Sequence, residues 1–305
     1  MKYSAIIVTY NRKEKLVEAL NSLLTQKIKP IRIILIDNNS TDGTEELLKD
    51  LGFFDSNIFN YIKLTENIGG SGGFYEGIRT AMKFNDDEFV AISDDDAIYS
   101  DDFFEKISEA QKKYPDYQAF CGSVRDLNGD FQISHRRIIV NKNKVKEVVV
   151  PKEAYGSDFD VDTFSFVGCV ISKKILEKIG LPKKEYFIYY DDTEYSMRVR
   201  KLTPIKNITS AVIDHKVVED FSFSLNWKTY YGVRNELNMR LANTDWNLMH
   251  IFLFLRLLKK YSEILLCPEY KGNRLRAIKV YHEGYRDGLR GKLGKNLKYQ
   301  PGKKF

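Results

Sequence analysis

Cysteine is scarce in this 305-residue chain, and long apolar runs are missing altogether. Cys121, Cys169 and Cys267 lie far apart and match no C-x-x-C spacing, which argues against a structural zinc site or a disulfide framework and fits a reducing cytoplasm. No run reaches the roughly 20 apolar residues that a membrane-spanning helix requires. Met1-Lys2-Tyr3-Ser4 leads into a short strand-like run without the cleavage pattern of a signal peptide. What is present is 43% hydrophobic and 30% charged residues, the balance of a folded globular protein rather than a disordered one. The length admits one large domain with an addition, or two domains.

The net charge of +6 is unevenly placed, because residues 271–305 carry eleven Lys and Arg against Glu283 and Asp287. That stretch is either a solvated terminus or a patch facing anionic lipid headgroups or nucleic acid. Just before it, Trp246 to Leu266 reads as an amphipathic helix in which Ile251, Phe252, Phe254, Leu255 and Leu258 are interrupted by Arg256, Lys259 and Lys260. Such a stripe is more often core than membrane contact, but its union with the basic tail favours a membrane surface.

Tyr3 to Thr9 is a buried-strand pattern, followed by Leu16, Leu20, Leu23 and Leu24 at helical spacing. Ile31 to Ile36, Tyr61 to Leu64 and Phe89 to Ser93 repeat the strand pattern, with helical segments at Glu45 to Leu51 and Phe74 to Phe84. Alternating strands and helices predict a mostly parallel, doubly wound α/β sheet, in which ligands bind at the carboxyl ends of the strands. The residues after the predicted strands are Thr9-Tyr10-Asn11, Asp37-Asn38-Asn39, Glu66-Asn67 and Asp94-Asp95-Asp96, all polar. Further on, Ala119 to Val124, Thr163 to Ser172 and Lys206 to Asp214 read as strands, the last ending in His215, while 125–162 is irregular.

Three adjacent carboxylates repel one another, so Asp94-Asp95-Asp96 at a strand end is either a site for a cation or a cation-bearing ligand or an exposed acidic turn capping the helix that begins near Asp101 and Asp102. A second acidic cluster, Tyr190-Asp191-Asp192-Thr193-Glu194, opens a helix. Asp191 can cap that helix, Glu194 can pair with Arg198, and aromatic surroundings would raise the pKa of one of Asp191 and Asp192, which suits a general base. The glycine loop Asn67 to Phe74 fails as a dinucleotide fingerprint, since Tyr75 stands where the third glycine belongs. Gly69-Gly70-Ser71-Gly72-Gly73 does spell a G-x-S-x-G nucleophile elbow, and a serine hydrolase would use Ser71, Asp191 and His215. Alternatively, the glycines let backbone N–H groups approach a diphosphate or sugar closely.

Taken in order, Thr9-Tyr10-Asn11-Arg12, Asp37 to Thr44, Asp94-Asp95-Asp96 and Tyr190 to Tyr195 resemble a family 2 glycosyltransferase of the GT-A fold, across roughly residues 1–235. Asn67 to Phe74, His215 and Tyr230-Tyr231-x-x-Arg234-Asn235 are similar to bacterial galactofuranosyltransferases, with rhamnosyltransferase-like members next. Tyr190 stands where a tryptophan is frequent in the galactofuranosyl enzymes. The resemblance implies a Rossmann-like nucleotide-binding half within a catalytic domain over 1–222 and a basic helical extension over 223–305. It implies that Thr9, Asn11 and Asp37 contact the nucleoside, with Tyr10, Arg12, Asn39, Asn67, Gly69, Gly70, Asp94 and Asp95 completing the nucleotide-sugar site. Asp94, Asp96 and His215 would hold Mn2+ or Mg2+, Asp191 would be the catalytic base, and Asp192 and Glu194 would stand beside it. Tyr190, Tyr230, Arg234 and Asn235 would contact acceptor or phosphate.

The implied activity is an inverting transfer from a UDP-sugar, with UDP-galactofuranose as the leading donor, to a polysaccharide or polyprenyl-linked acceptor in cell-surface glycan synthesis. A rhamnosyl- or other hexosyltransferase using a dTDP- or UDP-sugar is the nearest alternative. A non-catalytic nucleotide-sugar or membrane-binding scaffold is the alternative from another class. The expected place is the cytoplasm, at the inner face of the cell membrane, with an anionic lipid surface as partner, no nucleic acid, and a homo-oligomer left open.

Overall fold

The computed structural model describes residues 1–216 and 225–303. The chain begins β1 (Tyr3–Thr9), α1 (Lys13–Leu24), β2 (Arg32–Asp37), α2 (Thr44–Asp50), β3 (Phe59–Lys63), α3 (Gly69–Ala81) and β4 (Phe89–Asp94). It continues through β5 (Ala97–Tyr99), α4 (Phe103–Lys113), β6 (Ala119–Arg125), β7 (Arg136–Asn141), β8 (Lys146–Val149), β9 (Phe159–Val161), β10 (Thr163–Phe164) and β11 (Cys169–Ser172). After α5 (Lys173–Ile179), α6 (Asp191–Val199) and β12 (Ile205–His215) come three helices, α7 (Trp227–Ala242), α8 (Met249–Leu266) and α9 (Arg274–Leu289).

Two compact units result, the first from residues 1–138, 148–184 and 192–219, the second from 139–147, 185–191 and 220–305. Residues 139–147 and 185–191, which the sequence reading leaves in the first domain, thus belong to the second unit. The central sheet of the first unit runs β3-β2-β1-β4-β11-β6-β12-β5, with β9 on β12. Its β3-β2-β1-β4 half is parallel, whereas β11 is antiparallel to both β4 and β6.

β1 is buried on both faces, as its unbroken apolar run requires. Tyr3, Ala5 and Ile7 face Leu16, Leu20 and Leu23 of α1, while Ile6 and Val8 face Phe74 and Ile78 of α3. The Thr163 to Ser172 pattern breaks into β10 and β11 because Gly168 turns at φ +66, where a Cβ would meet Ile213.

The glycine stretch is not a loop but the start of α3. A Cβ on Gly73 would stand 2.4 Å from Val8, and one on Gly77, a turn later, 2.4 Å from Ile6. These two glycines therefore let the helix lie directly on β1. Ser71 is wholly buried in the same helix, so the nucleophile-elbow reading fails: no substrate carbonyl reaches its Oγ.

The basic C-terminal stretch is also not a loose tail. Arg274–Leu289 form α9, in which Gly284 and Gly288 pack against Tyr230, Val233, Arg234 and Leu237 of α7. Tyr299 stacks on Tyr230 at 4.3 Å between ring centroids. Lys304 lies outside the described residues.

Gly73→Leu is expected to lower stability by about 1–3 kcal/mol through overpacking on Val8, read as a lower melting temperature. Gly70→Ala is the control, since its Cβ meets nothing within 4 Å; a melting temperature equal to or above wild type is expected there.

Candidate active site

Strand pairing brings the polar strand ends to one edge of the first unit. Thr9 is in register with Asp37, and Val8 with Asp94. His215 at the end of β12 pairs with Ala97, just after the three acids.

The acids are heavily engaged. Asp95 is buried; its Oδ2 accepts the Thr9 hydroxyl at 2.7 Å, and its Oδ1 lies 3.3 Å from Arg12 Nη1. Asp96 is also buried; its Oδ2 takes Arg12 Nη1 at 2.8 Å and lies 3.7 Å from Lys15 Nζ, while its Oδ1 lies 3.2 Å from His215 Nε2. Burial pushes the Asp95 carboxyl up to about 6 despite the Thr9 hydrogen bond and the Arg12 charge. For Asp96 burial acts in the same direction, but the hydrogen bond and charge of His215, with Arg12 and Lys15, outweigh it and hold the pKa below the usual carboxylate value.

His215 has a support that the sequence reading missed. Its Nδ1 lies 2.9 Å from Gln132 Oε1, an amide oxygen that only accepts, so Nδ1 carries a proton, while Nε2 donates to Asp96 Oδ1 on the other side of the ring. Gln132 Oε1 also lies 3.1 Å from His135 Nε2, while His135 Nδ1 lies 2.5 Å from Ser165 Oγ. Burial and the Arg136 charge push the His135 pKa down, so this ring is neutral, donating from Nε2 and accepting the Ser165 hydroxyl. Both Gln132 and His135 lie in the irregular 125–162 stretch, whose sequence carries no periodic signal.

The groups that a divalent cation could recruit are Asp94, Asp96 and, on giving up the proton it shares with Asp96, His215 Nε2. Among the described residues no group of three or more His, Cys, Asp or Glu side chains is placed to hold a metal ion, and both Asp96 oxygens are engaged by Arg12 and His215, so the structure does not assemble the predicted Asp94, Asp96 and His215 set. An ion there would have to be bound through one or two carboxylates plus substrate phosphates.

The remaining predicted nucleotide contacts divide between buried supports and open groups. Asp37 is buried, accepting Ser40 N at 2.7 Å and the Tyr61 hydroxyl at 2.6 Å. Thr9 is likewise buried on Asp95. Asn11 and Asn39 both adopt positive φ, 53° and 67°, and Asn11 Oδ1 accepts Thr41 N at 2.8 Å, bracing one turn against the other. Asn67 Oδ1 accepts Gly69 N, and Asn38, absent from the predicted site, clamps the same turn through Gly69 O and Ile68 N. Tyr10, Asn11 and Arg12 are exposed, and Gly70 has open space around it.

In the second unit, the run before Asp191 is held in an unusual backbone. Phe187, Tyr189 and Tyr190 have φ of 67°, 67° and 68°, a left-handed region that costs aromatic residues about 1–3 kcal/mol each. Asn235 Nδ2 reaches the carbonyl oxygens of Tyr186, Ile188 and Tyr189 at 2.9–3.0 Å. Arg234 donates to the carbonyls of Glu185, Tyr186 and Gly294, and Tyr230 donates its hydroxyl to Asp287. Tyr230, Arg234 and Asn235 are fully buried. Their polar atoms are spent inside the unit, which gives them a positioning place rather than the ligand contacts the sequence reading assigns; Tyr190 keeps a half-buried ring. In α6, Glu194 is bound by Arg198 at 2.8 Å, as its i, i+4 spacing predicts. Burial pushes the Asp192 carboxyl up against the opposing charge of Arg137, and its Oδ1 accepts Thr193 N.

With this geometry in view, the comparisons decide the family. Residues 4–180 match the family model described as "Glycosyl transferase family 2". The chain belongs to that family. Its relatives include galactofuranosyltransferase GlfT2 of Mycolicibacterium smegmatis, 24% identical over 312 residues that cover 93% of this chain and 47% of that protein. The chain thus spans about half the length of that relative. The dTDP-rhamnosyl transferase RfbF of Shigella flexneri is 24% identical over 95% of this chain and 96% of its own. Among solved structures, GalNAc-T7 with UDP, GalNAc and Mn2+ superposes with a TM-score of 0.64 at 11% identity, covering 95% of this chain and 56% of that one. The shared fold is the GT-A glycosyltransferase fold.

Asp95 gives this family member a measurable pH dependence. A carboxyl raised from 3.8 to about 6 binds its proton more tightly folded than unfolded, so its stability contribution is full below about pH 4 and is lost as pH rises through about 6, a change of up to about 3 kcal/mol. In metal-free buffer, Asp95→Asn is expected to melt at or above wild type near neutral pH, with the difference vanishing near pH 4. Melting well below wild type at neutral pH would show that the ionised carboxylate is a net stabiliser through Arg12.

Proposed function

We propose that this chain is a metal-dependent, inverting glycosyltransferase that moves a sugar from a UDP-sugar, with UDP-galactofuranose as first candidate, to a lipid-linked or polysaccharide acceptor. The observation that carries the reading is the convergence of Thr9, Arg12, Asp94, Asp95, Asp96 and His215 on one strand edge of the first unit. Asp94, Asp96 and His215 Nε2 would hold Mn2+ or Mg2+, which when bound neutralises charge building on the departing nucleoside diphosphate. Gln132 and His135 keep His215 turned toward Asp96, and Asp95 anchors the cluster to β1 through Thr9. Tyr10, Asn11 and Arg12 are exposed at the nucleoside side, and Arg12 supplies positive charge to the same edge.

Asp191 is the base in this reading: its carboxylate takes the acceptor hydroxyl proton as that oxygen attacks the anomeric carbon. The backbone held by Arg234 and Asn235 fixes where Asp191 starts its helix. No covalent nucleophile is required, which agrees with a buried Ser71. A dTDP-rhamnose donor is the second reading, favoured by a rhamnosyl relative of nearly the same length.

The membrane partner falls to α8 rather than to the far C-terminus. Among the described residues no helix is long and apolar enough to cross a membrane. α8 nevertheless exposes Ile251, Phe254, Leu255 and Leu258, each 43–57% accessible, beside Arg256 and Lys259. An apolar row flanked by cations suits an anionic lipid interface.

Transfer from UDP-galactofuranose and from dTDP-rhamnose should be measured for wild type and Asp191→Asn. The variant is expected to bind donor normally and to lose at least about 100-fold in turnover; full turnover would remove Asp191 from the chemistry. Ile251→Asp/Leu255→Asp should reduce co-sedimentation with phosphatidylglycerol vesicles, and undiminished binding would exclude α8 as the lipid contact.

A further inference from the structure

The second unit contains a groove of about 970 Å³ that the donor and metal assignments do not use. It is bounded by α7, α8, α9, the tip of the β7–β8 arm, and Tyr189 and Tyr190. Its volume lies at the upper end of the range for small-molecule sites.

The charge of this groove is one-sided. Seven Lys and Arg line it against three glutamates. Glu236 is taken by Arg240 at 2.9 Å and Arg256 at 2.8 Å, and Glu263 by Lys260 at 3.0 Å. Lys146 and Lys259 are exposed and, among the described residues, make no ion pair. The groove therefore holds cationic charge in excess of its own carboxylates, which suits a multivalent anion such as a phosphate or diphosphate.

Two further observations identify the anion's carrier. Tyr189 and Tyr190 line the groove and directly precede Asp191, so a ligand seated there belongs to the acceptor side of the reaction. α8 turns Arg256, Lys259 and Lys260 toward the groove and exposes Ile251, Phe254, Leu255 and Leu258 along another face. One helix thus offers cations for a phosphorylated head and an apolar row for a lipid tail. Tyr281, whose ring lies 5.1 Å from Lys260 Nζ, adds an aromatic face suited to a sugar or prenyl segment.

We propose that this groove binds the diphosphate head of a prenyl-linked acceptor. The inference rests on the transferase reading for the role of its ligand, and on the groove alone for the ligand's chemistry.

Calorimetric titration of farnesyl diphosphate into the full chain, in EDTA to silence any metal-bridged diphosphate site, tests it. Lys146→Glu/Lys259→Glu alters two exposed side chains, and Lys271→Glu/Arg274→Glu, outside the groove, controls for diffuse charge. Farnesyl diphosphate is expected to bind wild type and the control alike and the groove variant about tenfold or more weakly. Inorganic pyrophosphate is expected to bind more weakly than farnesyl diphosphate. Equal affinity of wild type and groove variant, or equal losses in both variants, would overturn the proposal. Pyrophosphate binding as tightly as the prenyl compound would assign the groove to a free phosphate anion and overturn the lipid part. UDP titrated with Mn2+ into the same proteins separates the two claims. Intact UDP binding with no farnesyl diphosphate binding counts against the groove alone, whereas the converse counts against the donor site alone.

Discussion

Everything in the first unit is arranged around the cost of setting three neighbouring carboxylates at the end of β4, two of them buried. Left alone, Asp95 and Asp96 would lose hydration and repel each other. Thr9 and Arg12 from the end of β1 and His215 from the end of β12 answer that cost with a hydroxyl, a guanidinium and an imidazole. The compensation is incomplete, since Asp95 retains a raised pKa. A site whose acids are only partly satisfied by its own cations is suited to a ligand that brings another.

Each unit also carries a packing solution of its own. Gly73 and Gly77 let α3 lie on β1 without separating it from the sheet, which fixes the turn that Asn38 and Asn67 clamp. In the second unit, Asn235 and Arg234 hold three aromatic residues in a left-handed backbone just ahead of Asp191. Strain of this kind persists only where surrounding hydrogen bonds over-determine it. Here those bonds come from two fully buried side chains of α7.

Much of this was legible in the sequence because the signals were local. Unbroken apolar runs marked β1, β2 and β4, and their polar ends marked the binding edge. The glycine stretch was misread because a helix packed on small residues and a flexible loop have the same composition; only the contacts with Val8 and Ile6 separate them. Gln132 and His135 escaped notice because their meaning lies in a contact with His215 some eighty residues away. Arg234 and Asn235 were found by resemblance, but whether a polar side chain faces a ligand or a backbone carbonyl depends on burial, which spacing does not encode. The interleaving of 139–147 and 185–191 into the second unit is a property of packing with no compositional boundary.

The central claim is that the strand-edge acids and His215 form a cation-dependent nucleoside diphosphate site. Titration of UDP into wild type and Asp94→Ala/Asp96→Ala, each with and without Mn2+, tests it most directly. The account predicts UDP binding to wild type that is strengthened by Mn2+, and loss of the metal-dependent part in the variant. UDP binding that is indifferent to Mn2+ and to the loss of both carboxylates would contradict it.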